Sequence, residues 1–486
     1  MSSAVSIDTV LVNAAPGETR VALVAAGRLV EVWIDRPGRA GGVGDIHLGR
    51  VERLLPAIEA AFVNIGTNRS GFLAAAEARP PEREGGGISD FVSEGDAVVV
   101  QTTADAVDDK GPRLTKRLTL PGRYLVATPG QTDIRISRRI AGEDERDRLL
   151  DLVKEIAEPK EGFIVRTAAA RADRSDLARD ICALRLAANE VKARQAKAKA
   201  PALLYRELDP LRRILRDTAG PGLERIIVDD PNVLAEIRRL AGELAPEAAG
   251  RIDAHSGRDP VFETDDVEAQ IDAALAPEVA LPGGGRLIIE ETRSVTVIDV
   301  DSGGHTVGGP EETALTVNLE AVAEIARQMR LRNLAGHLVV DFVSMRQRDN
   351  EGQVVEATRH AVADDPTQTH VAGFTRLGLV EMTRQRGRAS LADELLAAAS
   401  GGRRKSPETV ALETLRQVLR EAAANPAASV AVTAAPAVAA ALQGSMRDAV
   451  ATVEKRLGRP LPIDADTDMA VDRADVHART GGGRNG

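Results

Sequence analysis

Short runs of valine and leucine separated by turn residues open the chain. VLVNAA and TRVALVAAGRLVEVWID, within residues 7–35, predict strands. The glycine-rich stretch 36–48 (RPGRAGGVGDIHL) predicts a linker. From Gly49 to about Leu120 the pattern returns to short strands: GRVERL, AAFVNIG, SGFLAA and AVVVQTTA, a spacing that predicts a small barrel. EARPPEREGGG between them is rich in breakers and reads as a loop. Residues 121–170 mix the strands RYLVATP and GFIVRTA with a helix near 142–158. Residues 171–217 read as helical, with Leu177, Ile181, Leu184 and Leu186 as apolar positions and Cys182 packed on that face. LERIIVDD, a helix over 231–243 and polar strands lead to residue 280. The segment 286–300 is β-rich, 311–334 reads as a helix with Leu315, Leu319, Val322, Ile325, Ala326 and Met329 apolar, and HLVVDFV as a short buried strand. GGRRKSP (401–407) predicts a linker, followed by a helix over 408–424, the strand ASVAVTA, the helix PAVAAALQG and a disordered tail.

Length and composition narrow the picture. At 486 residues the chain holds several units of ~150 residues each. Aromatic residues are 2% of it, so small aliphatic side chains must fill the cores and any exposed ring gains interest. A single cysteine excludes a disulfide framework and a zinc site built from cysteine pairs within one chain, and fits a reducing, cytoplasmic setting. The N-terminus shows no basic leader followed by an apolar run, and no segment reads as a membrane span. A formal charge of −10 excludes a global basic field. Locally, residues 165–225 carry 14 Lys and Arg against 8 Asp and Glu, which reads either as a solvated helix face or as a patch for a phosphate backbone.

The candidate chemistry lies in 286–345. Strand VTVIDVDS, loop GGHTVGGP, a helix and strand HLVVDFVSM make a strand–helix–strand unit. Asp299 and Asp301, two apart, share one strand face, and Asp341 ends the second strand. If the strands are parallel, the three carboxylates meet at one sheet edge. Few carboxylates and several retained waters suit a hard cation such as Mg²⁺. Aspartates at strand ends also cap turns or pair with arginine, so the pattern alone leaves both readings open. His305 lies in the glycine loop near the proposed metal, while His337 and His370 read as structural. The acidic run Asp464, Asp466, Asp468, Asp472 and Asp475 has calcium-loop spacing with Met469 where glycine is needed, and is discounted.

The run VIDVDSGGHTVGGPEETALTVNLEAVAEIARQMRLRNLAGHLVVDFVSM, with FTRLGLVEMTRQR after it and AAFVNIGTNRSGFL, RISRRI and GFIVRTA before it, resembles the ribonuclease E/G family. The blocks stand in the family's order, over roughly 7–395 and more weakly to about 477. The resemblance implies a multidomain α/β chain. Residues 1–35 and 215–280 would form an RNase H-like domain, 36–120 an inserted S1-type OB-fold RNA-binding barrel, and 121–214 a 5′-sensor region. Residues 281–400 would form a DNase I-like catalytic domain, 401–407 a linker, 408–477 a small α+β domain and 478–486 a disordered tail. It implies a Mg²⁺-dependent endoribonuclease with one catalytic ion held by Asp299 and Asp341, Mn²⁺ being the alternative. Asp301 would stand where the family usually has the asparagine that orients water at the metal. Phe62 and Phe72 would stack RNA, Lys110 would contact a base, and Gly122, Val126, Arg166 and Thr167 would hold an RNA 5′ monophosphate, though Arg166 also reads as a structural ion-pair partner.

The resemblance further implies single-stranded A/U-rich RNA as partner, products with 5′-phosphate and 3′-hydroxyl ends, and a cytoplasmic role in rRNA and tRNA processing and mRNA decay. Departures stand beside it. Asp301 adds a carboxylate, Gln368 replaces a supporting arginine of the sensor, and GGRRKSPET carries no cysteine where the family's main branch has a zinc link. A homo-oligomer without zinc, no obligatory membrane association and no long C-terminal scaffold are therefore expected. The competing readings are an RNA-binding protein of the same fold that has lost cleavage, and a DNA nuclease with similar metal chemistry.

Overall fold

The Val- and Leu-rich opening forms an antiparallel meander in the computed structural model: strands Thr9–Ala15, Glu18–Ala25 and Arg28–Asp35. The structure describes residues 6–36, 42–80, 83–106, 110–207, 210–257, 259–304, 308–399, 402–426 and 428–479. Strands Arg225–Val228 and Ile252–Ala254 join the far side of Thr9–Ala15 in parallel, completing a five-stranded sheet. Helices Pro210–Asp217 and Pro231–Leu244 cover one face, burying Ile214, Leu215, Ile237 and Leu240 against Val10, Val12 and Trp33. The other face, through Leu11, Val24 and Leu29, packs on Phe262, Val267 and Leu331. The expected domain boundary at 215 thus falls inside a helix that belongs under this sheet.

The expected barrel forms, and it closes. Strand Ile46–Leu55 is long enough to pair with Ala60–Asn64 on one side and Ala97–Ala104 on the other, while Gly71–Ala74 and Arg113–Thr115 complete five strands in an OB-like barrel. The predicted linker 36–48 is therefore shorter than its glycine content suggests, because residues 46–48 are already strand; residues 37–41 lie outside the described part. Ile46 and Leu48 point into the next unit's core, and His47 takes the alternate face with Gly49 and Val51. His47 is fully buried, and neither ring nitrogen has a hydrogen-bond partner among the described residues. Burial pushes its pKa down to about 4, the Ile65 backbone opposing. The folded protein thus binds this proton less readily than the unfolded chain, and stability is lost as pH falls from about 6.5 to about 4, by roughly 3 kcal/mol at the lower end. Urea unfolding across that range is expected to show this slope in the native protein and not in His47→Leu. Equal slopes would mean that His47 finds a partner in the fold.

Residues 120–205 make the third unit. Its sheet runs Ile134–Ile136, Phe163–Val165, Leu125–Ala127, Leu120–Pro121, under helices Glu143–Ile156 and Arg174–Lys197. The expected continuous helix over 171–217 is broken: after Lys197, strand Ala202–Tyr205 pairs with Ile46–Leu48 on the outside of the barrel, and only then does Pro210–Asp217 begin. Leu177, Ile181 and Leu184 are buried as predicted, but Leu186 and Cys182 are exposed. The apolar stripe runs through 177, 180, 181 and 184, and both exposed residues lie off it.

The fourth unit is a six-stranded sheet, Glu278–Ala280, Arg286–Glu291, Val295–Asp301, Gly336–Asp341, Leu379–Arg384, Thr369–Phe374 in spatial order. Helices Pro310–Leu331 and Arg348–Ala361 cover one face through Val317, Ala321, Ile325 and Val354. Strand Glu278–Ala280 belongs here, three residues ahead of the expected boundary. The predicted linker 401–407 is instead half of a hairpin, Leu396–Ala399 against Gly402–Lys405, with Lys405 Nζ bonded to Asp272 (2.9 Å) and Glu413 (2.8 Å). Helices Pro407–Ala424, Pro436–Gln443 and Arg447–Leu457 and a three-stranded sheet form the last unit. It docks on the first sheet at Gly17, whose φ of +85° and contacts to Ala449 and Leu412 leave no room for a Cβ. Arg416 reaches across to buried Glu18 at 2.6 Å. The expected tail begins inside strand Ala474–Arg479, and residues 480–486 lie outside the described part.

Candidate active site and nucleic-acid interface

Val295–Asp301 and Gly336–Asp341 are adjacent and parallel, so the strand–helix–strand unit forms as read. Their register pairs Asp299 with Asp341 directly. Both face away from the helices, because Ile298, Val300, Leu338 and Val340 fill the opposite face. Neighbouring strands stand ~4.8 Å apart, which puts the two exposed carboxylates within reach of one ion. The surrounding protein, then the charges of Asp341 and Asp301, push the Asp299 carboxyl above its ordinary range. Such mutual repulsion is what a cation would relieve.

Asp301 does not converge with them as a third free carboxylate. It accepts Arg286 Nε (3.0 Å) and Nη2 (2.8 Å) from the neighbouring antiparallel strand, and the Gly303 N–H (2.9 Å). The Gly303 N–H and then Arg286 hold its pKa below the usual value. Asp301 thus caps the turn and pairs with Arg286, one of the two readings the sequence left open. Among the described residues no group of three or more His, Cys, Asp or Glu is arranged to hold a metal. A two-carboxylate donor set fits Mg²⁺, which binds through one or two carboxylates and keeps several waters. His305 lies outside the described residues. His337 and His370, expected to be structural, are exposed on the open sheet face below the aspartates.

Three positioning side chains carried little signal in the sequence. Buried Asn318, midway along helix Pro310–Leu331, clasps the chain just after Asp341: its Nδ2 donates to the Val343 carbonyl (2.8 Å), and its Oδ1 accepts the Val343 N–H (2.9 Å). Glu311 accepts the N–H groups of Arg346 (2.9 Å) and Gln347 (3.0 Å). Arg286 was the unrecognised partner of Asp301. An asparagine among apolar helix positions was the one legible hint.

On the barrel, Phe62 and Phe72 are register partners on adjacent strands, half-buried, with ring centroids 6.2 Å apart at an interplanar angle of 70°. With only seven Phe in the chain, two meeting on a barrel surface make a small aromatic platform. The Phe72 N–H bonds the Pro112 carbonyl (2.8 Å), which holds exposed Lys110 near the same edge.

Gly122, Val126, Arg166 and Thr167 converge on one end of the third unit. Arg166 Nη1 donates to the carbonyls of Gly122 (2.6 Å) and Arg123 (3.3 Å), and Nη2 to Asp217 Oδ1 (3.0 Å). Thr167 Oγ1 lies 3.2 Å from Ser137 Oγ. Val126 sits on the strand beside, paired with Pro121 and Ile164. Asp180, on the helix's buried stripe, accepts the N–H groups of Arg123, Tyr124 and Leu125. A Cβ on Gly122 would fall 2.5 Å from that carboxylate, so only glycine lets the turn close there. Gln368 is exposed on a loop whose Asp365 carbonyl accepts Arg139 (3.2 Å) from this unit. The expected basic patch is weaker than its residue count. Arg174, Arg179, Arg185 and Arg194 are paired with Glu155, Asp176, Glu161 and Glu190.

Comparison with known proteins agrees with this arrangement. The profile of the Ribonuclease E/G family matches residues 119–387. Ribonuclease G of Escherichia coli (strain K12) is 38% identical over 483 residues, covering 96% of this chain and 98% of its own. Ribonuclease G of Haemophilus influenzae is 39% identical over 427 residues, 84% and 87% of the two chains. Ribonuclease E of a Nostoc species is 41% identical over 352 residues, 71% of this chain and 51% of its own. These matches place the chain among the endoribonucleases, enzymes of RNA processing. It belongs to the Ribonuclease E/G family.

Proposed function

We propose that the chain cuts single-stranded, A/U-rich RNA with Asp299 and Asp341 as the pair that holds one Mg²⁺ ion, leaving 5′-phosphate and 3′-hydroxyl ends. The observation that carries this is their direct register at the ends of two parallel strands on an open sheet face. Mg²⁺ held there would supply an activated water and neutralise charge on the oxygens around the phosphorus under attack. The protein's own part is placement. Asn318 and Glu311 fix the chain after Asp341, and Arg286 and the Gly303 N–H hold Asp301 at the site's margin, where its carboxylate would orient water. Phe62 and Phe72 stack unpaired bases, Lys110 contacts a base, and Gly122, Val126, Arg166 and Thr167 take a 5′ monophosphate.

In this reading the first sheet, antiparallel then parallel, is RNase H-like, and the helix-covered sheet is DNase I-like. The substrates are rRNA and tRNA precursors and mRNA in the cytoplasm. Among the described residues no helix is long and apolar enough to cross a membrane. Assembly of copies would proceed without zinc, since GGRRKSPET carries no cysteine.

The deciding experiment is cleavage of a short A/U-rich RNA with Mg²⁺ or with EDTA, with the ends of the products determined. Cutting that EDTA abolishes and Mg²⁺ restores, with 5′-phosphate products, is expected. Metal-independent cutting, or cyclic phosphate ends, would overturn the chemistry. For the interface, alanine at Phe62 or Phe72 is expected to weaken RNA binding by ~1–3 kcal/mol each, with the salt dependence unchanged. Lys110→Ala should instead relax the preference for the base it contacts, at a cost of about 1–3 kcal/mol. Loss of salt dependence in the phenylalanine variants would mean that the rings only pack.

A further inference from the structure

Arg166 is one end of a chain of shared ion pairs. Asp217, which accepts its Nη2, closes helix Pro210–Asp217 and also receives a fork from Arg216 (3.0 and 2.9 Å). Arg216 is in turn paired with Glu207. One turn back on the helix, Arg213 lies 3.8 Å from Asp217 and 3.4 Å from Glu31, stacked over the Trp33 ring at 3.9 Å. Glu31, on the first sheet, is buried and accepts Trp33 Nε1 (2.6 Å), Arg388 (2.8 Å) and Arg330 (3.3 Å). Against burial, Arg388, Arg213 and Arg330 hold Glu31 at about 2, and Arg216 does the same for Asp217.

The far end of this chain lies in the catalytic unit. Arg330 is in the last turn of helix Pro310–Leu331, which follows the loop after Asp301. Arg388 follows strand Leu379–Arg384, whose Leu379 is the register partner of Asp341. Each carboxylate is shared by more guanidinium groups than its charge can neutralise. A change at one arginine therefore redistributes the others. Arg330 Nε is buried without a partner among the described residues, so that side chain has a donor to spare.

We propose that Asp217 is a positioning residue that relays phosphate binding at Arg166, through Arg213 and Glu31, to the two catalytic-unit elements bearing Arg330 and Arg388. This rests on the reading of Arg166 as a ligand of a 5′ phosphate. A phosphate dianion at Arg166 displaces Asp217 from its Nη2. Asp217 then draws Arg213 towards itself, and Glu31 passes from Arg213 to Arg330 and Arg388. The site thereby distinguishes a strand that is merely bound from one whose end is seated.

The test compares one short RNA with a 5′-monophosphate or a 5′-hydroxyl end, on the full chain. Turnover is read directly, and affinity is read in an Asp341→Asn background. Asp217→Asn is expected to keep the affinity preference for the monophosphate while the kcat preference falls several-fold to about 100-fold, the usual span of coupling between sites. Asp217→Glu should restore it. Should Asp217→Asn fail to fold, Arg213→Lys carries the same two expectations, because lysine keeps the charge and loses the shared fork. An unchanged kcat preference, or an equal slowing of both strands, would overturn the relay. Absence of any monophosphate preference in the native protein, or its persistence in Arg166→Ala, would overturn the pocket reading itself and the relay with it. Loss of preference in Arg166→Ala alone would leave the pocket standing and the relay refuted.

Discussion

Asp341→Asn is expected to lower RNA cleavage by about 10³-fold or more, the scale seen when one member of a catalytic unit is removed, while RNA affinity is retained. Asparagine keeps the shape of the side chain and removes the charge a divalent cation needs. Asp341 is exposed, so its replacement by asparagine is expected to leave the fold intact. Asp299→Asn should do the same, and the double variant should be little worse than either, if both act through one ion as proposed. Single-turnover cleavage measured beside fluorescence anisotropy on the same strand separates the outcomes. Undiminished turnover would remove Asp341 from the chemistry, and a parallel loss of affinity would make it an RNA contact instead.

The second large effect is on stability. Asp365 and Arg384 are each 3% exposed and joined by a fork, Nε to Oδ2 at 2.7 Å and Nη2 to Oδ1 at 3.1 Å. Arg384 Nη1 also donates to Asn333 Oδ1 and the Leu334 carbonyl, both at 3.0 Å. Asp365→Ala leaves that guanidinium buried and without its carboxylate, which is expected to destabilise the catalytic unit by about 3–5 kcal/mol. Removing both charges, as Asp365→Ala with Arg384→Met, should recover most of the loss, since the desolvated cation is gone. Urea unfolding of the two variants beside the native chain checks this, and a double variant as unstable as the single one would show that packing around the pair matters more than its charge.

The sequence made parts of this legible for identifiable reasons. The strand–helix–strand unit could be read because its apolar spacing changes from strand to helix and back within a short span, and the Asp299–Asp341 pairing follows once the strands are parallel. The fate of Asp301 could not, because Arg286 reaches it across a strand pairing that no local pattern encodes. Strand Ala202–Tyr205 was hidden in an apparent helix: ALLY suits either state, and its partner at residues 46–48 decides. Pro201 just before it was the available warning. The hairpin Leu396–Lys405 was masked by glycine and charge, which resemble a linker when its pairing is unknown. Asp180 looked like one charge among many on a basic helix, although its place three residues after Leu177 sets it on the buried stripe.

The pairing of Thr9–Ala15 with Arg225–Val228 has a consequence for the order in which the protein is completed. On the ribosome the meander emerges well before Arg225–Val228, with one side of Thr9–Ala15 bare. The strand that covers it follows roughly 200 residues later, ~10–40 s at ordinary rates of synthesis. The barrel, whose strands lie close together in the chain, can shut on itself well before then. Strand Thr9–Ala15 is thus made before the barrel and settles after it. During that interval an open strand edge is available to other nascent chains, and a pause in translation between the barrel and residue 228 would prolong the exposure.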